Sequence, residues 1–224
     1  MSMHELECIR LEPSHAPVRK LLVLLHGYGG DAGDMEPTAR VLRDELPETA
    51  VVCLNGPEPC AHWVEGRQWF AASEFDAREV WIGVQAAAPL INRVLDAELE
   101  HYGLLERDMV LGGFSQGAMV ALHVGPRRFS EAAGLLSFSG VLGGPEHLVE
   151  QMVVRPPVML LHGSEDDVVS AAYLGAAKTV LVSAGFDVEA HDLAALDHSI
   201  NGEAQALALR FLKERFGISA PTTI

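Results

Sequence analysis

The chain has 224 residues, with 31 acidic against 16 basic side chains, a formal net charge of −15, and 49% hydrophobic and 21% charged content. Such a field repels phosphate backbones and disfavours docking on anionic membranes, so nucleic acid is not an expected partner, while a lipid-like substrate stays open. No signal-peptide pattern opens the chain and its apolar runs are strand-length, so a cytoplasmic protein with no integral membrane association is expected, one domain over residues 1–224.

Glu5 to Leu11 alternates weakly and reads as an edge strand. Leu21-Leu22-Val23-Leu24-Leu25 is an unbroken apolar run, the pattern of a strand buried on both faces, and it enters the glycine turn His26-Gly27-Tyr28-Gly29-Gly30. Met35, Ala39, Leu42 and Leu46 then recur at helical spacing, and Val51-Val52-Cys53-Leu54 is a second buried strand. From Asn55 to about Arg78 the chain is polar and broken by glycine and proline, with Trp63, Trp69, Phe70 and Phe75 interleaved.

Val84, Ala87, Ile91, Leu95, Leu99 and Tyr102 mark the clearest amphipathic helix, which Gly103 is placed to end. Met109 to Leu111 is a short strand leading into Gly112-Gly113-Phe114-Ser115-Gln116-Gly117, and a helix from about Ala118 to Val124 stops at Gly125-Pro126. Strands at Leu135–Phe138 and Val158–Leu161 flank a short connection opened by Gly143-Gly144-Pro145. A helix from about Ala171 to Ala184, a strand near Phe186 to Ala190 and a final helix through Leu207, Phe211 and Leu212 follow. Alternating strands and helices predict an α/β class with a mostly parallel sheet covered on both faces.

Ser115 sits where a strand turns sharply into a helix. Flanking glycines permit that turn, which lifts the hydroxyl above the sheet and points the next N–H, that of Gln116, at the same space. A serine needs a base, and the base an orienting acid. Of ten histidines, His198 in Leu196-Asp197-His198-Ser199-Ile200 lies between the last strand and the last helix, at the sheet edge where α/β folds bind ligands. His26 and His162 precede glycines directly after strands and read as turn braces. His123 falls inside a helix, and His62 in the aromatic segment is the rival base. Leu161-His162-Gly163-Ser164-Glu165-Asp166-Asp167 offers three adjacent carboxylates for the acid. A second oxyanion donor is expected from the first glycine turn, at Tyr28 N–H. A phosphate loop is not supported there, because no lysine follows the glycines. Trp69 and Phe70 are the first choices for a substrate-pocket wall.

Cys8, Cys53 and Cys60 have neither metal-site nor disulfide spacing. Cys8 and Cys53 read as buried thiols, Cys60 as a loop residue.

The segments Leu-Leu-His-Gly-Tyr-Gly-Gly, Gly-Gly-Phe-Ser-Gln-Gly-Ala-Met, Leu-Leu-His-Gly-Ser-Glu-Asp-Asp-Val-Val and Asp-His-Ser-Ile together resemble the carboxylesterase/phospholipase family, small bacterial esterases related to acyl-protein thioesterases, from Leu21 to about Phe216. The resemblance implies the α/β-hydrolase fold with no separate cap domain. It implies a serine carboxylesterase with Ser115, Asp166 and His198 in that order, the acid being Asp166 rather than Asp167. Tyr28 and Gln116 N–H groups would form the oxyanion hole, with no metal or cofactor. It also implies a small acyl ester as substrate, and a homodimer is a family-based expectation. The chain departs from the family at Tyr28, often leucine, at Ser170, usually proline, and across Gly66 to Phe70. Lack of room for a cap predicts an open, shallow site for short to medium acyl chains. The same triad would serve a thioesterase or lysophospholipase, and the fold could also carry a non-catalytic binding protein.

Overall fold

The computed structural model describes residues 6–13 and 16–218. In chain order the elements are β1 (Cys8–Leu11), β2 (Lys20–Leu25), α1 (Ala32–Asp44), β3 (Thr49–Leu54), β4 (Glu58–Pro59), β5 (Arg67–Gln68) and α2 (Ala77–Tyr102). They continue as β6 (Met109–Phe114), α3 (Gln116–Val124), β7 (Gly134–Phe138), α4 (Leu148–Gln151), β8 (Val158–Gly163), α5 (Ala172–Ser183), β9 (Val188–Leu193) and α6 (Gly202–Arg215). Seven strands form one sheet in the order β1-β3-β2-β6-β7-β8-β9. Every pairing is parallel except β1 with β3, where Cys8 lies opposite Leu54 and Leu11 opposite Val51. β4 and β5 form a separate two-residue ladder.

The apolar runs become strands for a simple reason: both faces of the sheet are covered. Leu21 to Leu25, Thr49 to Leu54 and Gly134 to Phe138 are buried throughout. On one face they pack with α2, α3 and α5 through residues such as Val84, Ile91, Leu95, Val120 and Leu181. On the other they meet α1 and α6 through Met35, Leu42, Ala208, Phe211 and Leu212. This is the α/β-hydrolase arrangement of a mostly parallel sheet between helical layers.

Helix ends follow local chemistry. The Asp31 carboxylate accepts the Gly33 N–H at 2.7 Å to open α1, and Asp76 accepts the Glu79 N–H at 2.7 Å to open α2. Gly103, at φ +65°, closes α2 in the left-handed conformation that glycine adopts without strain. Asn201 accepts the Ala204 N–H at 2.9 Å to open α6.

Boundaries differ from the sequence reading in instructive ways. β9 begins and ends later than the run Phe186 to Ala190, because its residues are mostly half-buried at a sheet edge and carry no clean apolar pattern. The connection opened by Gly143-Gly144-Pro145 is one turn of 3-10 helix running into the four-residue α4. The expected N-terminal edge strand is β1, though its proposed start at Glu5 lies outside the described residues. Among the described residues, no helix is long and apolar enough to cross a membrane.

Strand order reverses at β2, with β3 on one side and β6 on the other. The crevice at such a switch point, beyond the carboxyl ends of the strands, is where open α/β sheets hold ligands. β2 ends there in the turn of Gly27 and Tyr28, and β6 ends there in Ser115.

Candidate active site

Ser115 has φ +51° and ψ −116°, a conformation that only a tightly determined turn imposes on a non-glycine residue. Its N–H is held by the Phe138 carbonyl at 2.8 Å, fixing the turn to β7. Gly113 and Gly117 make the turn possible: a Cβ on Gly113 would lie 2.5 Å from the Gly117 carbonyl carbon, and one on Gly117 would overlap the Leu25 and His26 carbonyls. The first turn of α3 is thereby pressed directly on the end of β2. Gln116 is its first residue, where helical N–H groups have no partner within the helix.

His198 lies in the loop between β9 and α6, with Nδ1 2.7 Å from Asp166 Oδ2. The other oxygen of that carboxylate, Oδ1, accepts the N–H groups of Val168 at 3.0 Å and Val169 at 2.7 Å. Burial alone would push the Asp166 carboxyl up. The hydrogen bond from His198 and those two backbone donors outweigh it and hold the group below its ordinary value. His162 braces this loop, with Nε2 2.8 Å from the Val169 carbonyl and 3.3 Å from Asp166 Oδ2. The Phe114 ring packs on the His198 ring at 4.7 Å between centroids.

Ser115, His198, Gly27 and Tyr28 all line one cavity of about 850 Å³. Its walls are Tyr28, Trp63 and Phe75 on one side, with Met119, Leu142, Val169 and Val180 on the other. Without a separate cap, loop and helix residues around the sheet edge form a partly open, mostly apolar-walled volume near the upper end of small-molecule pockets.

Trp69 and Phe70, expected to wall the pocket, do not line this cavity. They are 2% and 4% exposed, packed in the core, and form instead the floor of a separate cleft beside α2. The reason is hydrogen bonding. Trp69 Nε1 donates to the His26 carbonyl at 2.7 Å, Trp69 N donates to Gln116 Oε1 at 2.9 Å, and Gln116 Nε2 donates to the Phe70 carbonyl at 2.8 Å. The aromatics that do reach the cavity are Trp63 and Phe75 from the same segment, with Tyr28, Phe114 and Tyr173. Apolar alternation in a loop carries no signal for which rings turn inward. The residues of α5 and of the 141–145 connection that complete the walls read in the sequence only as a helix and a short connection.

The turn carrying Tyr28 is held from two directions. Gly29 N–H donates to the Arg67 carbonyl at 2.9 Å, and Arg67 N–H donates to the Gly30 carbonyl at 2.8 Å. Arg67 Nε then donates to the Gly56 carbonyl at 2.8 Å. His26 is fully buried; its Nε2 accepts the Gly56 N–H at 2.8 Å, which leaves Nδ1 to donate to the Gly27 carbonyl at 2.6 Å. Burial holds its basicity below that of a free imidazole. His26 and His162 are turn braces, as their positions after strands suggest.

His62, the rival base, is exposed at the cavity rim with Nδ1 2.7 Å from the Tyr28 hydroxyl. Among the described residues it has no carboxylate partner of the kind that orients His198. His123 is buried inside α3 against Trp81, its basicity pushed down to about 3 by burial and by Arg127. Cys60 is buried rather than on the surface. Burial raises its thiol, but N–H groups of His62 and Trp63 and the Tyr28 hydroxyl more than offset this and lower it. Cys53 is buried and Cys8 half-buried.

The strained strand-to-helix turn of Ser115 at the sheet's switch point, with the carboxylate-held His198 lining the same cavity, sits on a fold of the α/β-hydrolase class. Residues 6–215 match the Phospholipase/Carboxylesterase family, and the chain belongs to that family. It is 29% identical over 197 residues to Esterase YpfH of Escherichia coli, spanning 88% of this chain and 83% of that one. It is 24% identical to Acyl-protein thioesterase 1 of Eremothecium gossypii over 95% of each. Among solved structures, esterase PE8 superposes with a TM-score of 0.91 at 32% identity, covering 94% of this chain and 99% of that one. The Bacillus cereus carboxylesterase shares the fold, with a TM-score of 0.74 at 20% identity over 96% and 97% of the two chains.

Proposed function

We propose that this chain is a serine carboxylesterase that hydrolyses small acyl esters through an acyl-enzyme, residues 1–224 acting as one catalytic domain without metal or cofactor. The observation that carries the reading is the hydrogen bond of 2.7 Å from His198, which lines the same cavity as Ser115, to the buried Asp166 carboxylate. Ser115 Oγ attacks the ester carbonyl while His198 takes its proton, and Asp166 stabilises the imidazolium. The carbonyl oxygen becomes an oxyanion bound by the N–H groups of Tyr28 and Gln116, each such donor being worth about 3–4 kcal/mol of barrier. The alcohol leaves with the proton from His198. Water then attacks the acyl carbonyl as His198 takes its proton, and that proton passes to Ser115 Oγ as the bond from serine to the acyl carbon breaks and the acid leaves.

The apolar walls and the volume of the cavity support medium rather than only very short acyl chains. The family's thioesterase and lysophospholipase members make those activities the alternatives. A panel of nitrophenyl esters of rising chain length, an acyl thioester and a lysophospholipid, run side by side, tests this. Esters of short to medium acyl chains are expected to turn over best, and Ser115→Ala to lower kcat by about 10⁴–10⁶-fold in a folded protein. Preference for very long chains, or for the thioester, would overturn the substrate reading, and turnover surviving in Ser115→Ala would overturn the mechanism.

A further inference from the structure

Trp69 does not line the cavity of Ser115 and His198, yet it joins two segments that the proposed mechanism must hold in register. We propose that Trp69 is a positioning residue that, with the Gln116 side chain, fixes the distance between the two oxyanion donors; this rests on the ester-hydrolase reading above.

Tyr28 N–H belongs to the turn after β2, and Gln116 N–H to the first turn of α3. These are different elements, and an oxyanion hole works only when both donors converge on one oxygen, so an error of about 1 Å costs on the order of 100-fold. Trp69 ties them together. Its indole N–H holds the carbonyl of His26, two residues before Tyr28, at 2.7 Å. Its backbone N–H holds Gln116 Oε1 at 2.9 Å, and Gln116 Nε2 returns to the Phe70 carbonyl at 2.8 Å. The Gln116 amide thus takes one donor and one acceptor of the 69–70 backbone, as a neighbouring strand would. The ring of Trp69 also lies against that of His26, with centroids 5.0 Å apart. His26 and Gln116 are fully buried and Trp69 nearly so, so water does not compete for these bonds. The absence of a Cβ on Gly117 lets α3 approach the Leu25 and His26 carbonyls, and the Trp69 bridge holds it there. Among the described residues, Trp69 alone is hydrogen-bonded to both the His26 carbonyl, through its indole, and the Gln116 side chain, through its backbone N–H.

The test compares inhibition by a trifluoromethyl ketone, which adds the serine oxygen and becomes a bound oxyanion, with binding of the matching secondary alcohol, which cannot. In Trp69→Phe the ketone is expected to bind about 10–100-fold more weakly, and kcat/KM to fall by the same factor, while the alcohol binds within about twofold of wild type. Gln116→Met, which keeps the backbone N–H and removes the amide, is expected to do the same and serves if Trp69→Phe does not fold. Leu95→Ala, a cavity in α2 remote from the site, controls for lost stability and should leave both affinities unchanged. Unaltered ketone binding in folded Trp69→Phe or Gln116→Met, or equal loss for ketone and alcohol, would overturn the inference alone. A wild-type protein that the ketone does not inhibit would overturn the ester-hydrolase reading beneath it.

Discussion

Asp166 concentrates the residue-scale argument. One of its oxygens is taken by two backbone N–H groups, which leaves the other for His198, so the imidazole has a single way to sit. Asp166→Asn would keep the shape but present an amide that can stabilise the wrong tautomer, and kcat should fall by on the order of 10⁴-fold with the fold intact. The same residue has a stability consequence. Because its folded-state carboxyl is held below the ordinary value near 3.8, its contribution is fully present above that pH and is lost as pH falls through the depressed value. Urea unfolding between about pH 5 and 2.5 should therefore show a shallower acid loss in Asp166→Asn than in wild type. Parallel acid limbs would contradict this. The proposed nucleophile and the carboxylate loop were legible in the sequence because each follows a buried strand directly, β6 and β8, where apolar pattern and glycine meet. The proposed base His198 was read only from its place between the last strand and the last helix. The choice among Glu165, Asp166 and Asp167 was not legible from spacing alone, since only the loop's hydrogen bonds decide which carboxylate turns toward His198.

At the scale of elements, the cavity wall nearest α2 is set by one carboxylate. Glu79, in the first turn of α2, accepts the N–H groups of Ser73, Glu74 and Phe75 at 3.0, 2.8 and 2.9 Å and the Ser73 hydroxyl at 2.6 Å. The Ser73 hydroxyl first, then these backbone donors, push its carboxyl down to about 2, so the anchor stays charged across the working pH range. Phe75, at φ +53°, is held by this anchor with its ring 5.1 Å from that of Tyr28. Glu79→Ala should free the 73–75 segment and raise KM by several-fold with a smaller change in kcat, since the reacting groups sit elsewhere; steady-state kinetics on a medium-chain ester checks it. Such anchoring explains why the walls were hard to read in advance. Trp69 and Phe70 look like any aromatic pair in a polar loop, and nothing local says that the Gln116 amide, far along the chain, draws their backbone into the core. The elements themselves were legible where burial on both faces makes the pattern continuous, as in β2 and β3. They were misjudged where it does not, as in β9.

For the whole molecule, the excess of acidic side chains matters more than any single ion pair. The chain carries a net charge of −15 and its cavity has mostly apolar walls, so on the proposed function neutral esters should enter more readily than anionic ones. The kcat/KM for an ester carrying a carboxylate should accordingly rise as salt is raised from about 10 to 150 mM, while that for a neutral ester of equal length stays flat. Equal salt dependence for the two would place the charge away from the entrance. The central claim, that Ser115 is the nucleophile of a Ser115-His198-Asp166 hydrolase site, has a more direct test. Intact-mass and peptide mass spectrometry after exposure to a fluorophosphonate should find one adduct per chain, on Ser115, lost in Ser115→Ala and slowed by orders of magnitude in His198→Ala. An adduct on another residue, or none from a folded protein, would contradict the account.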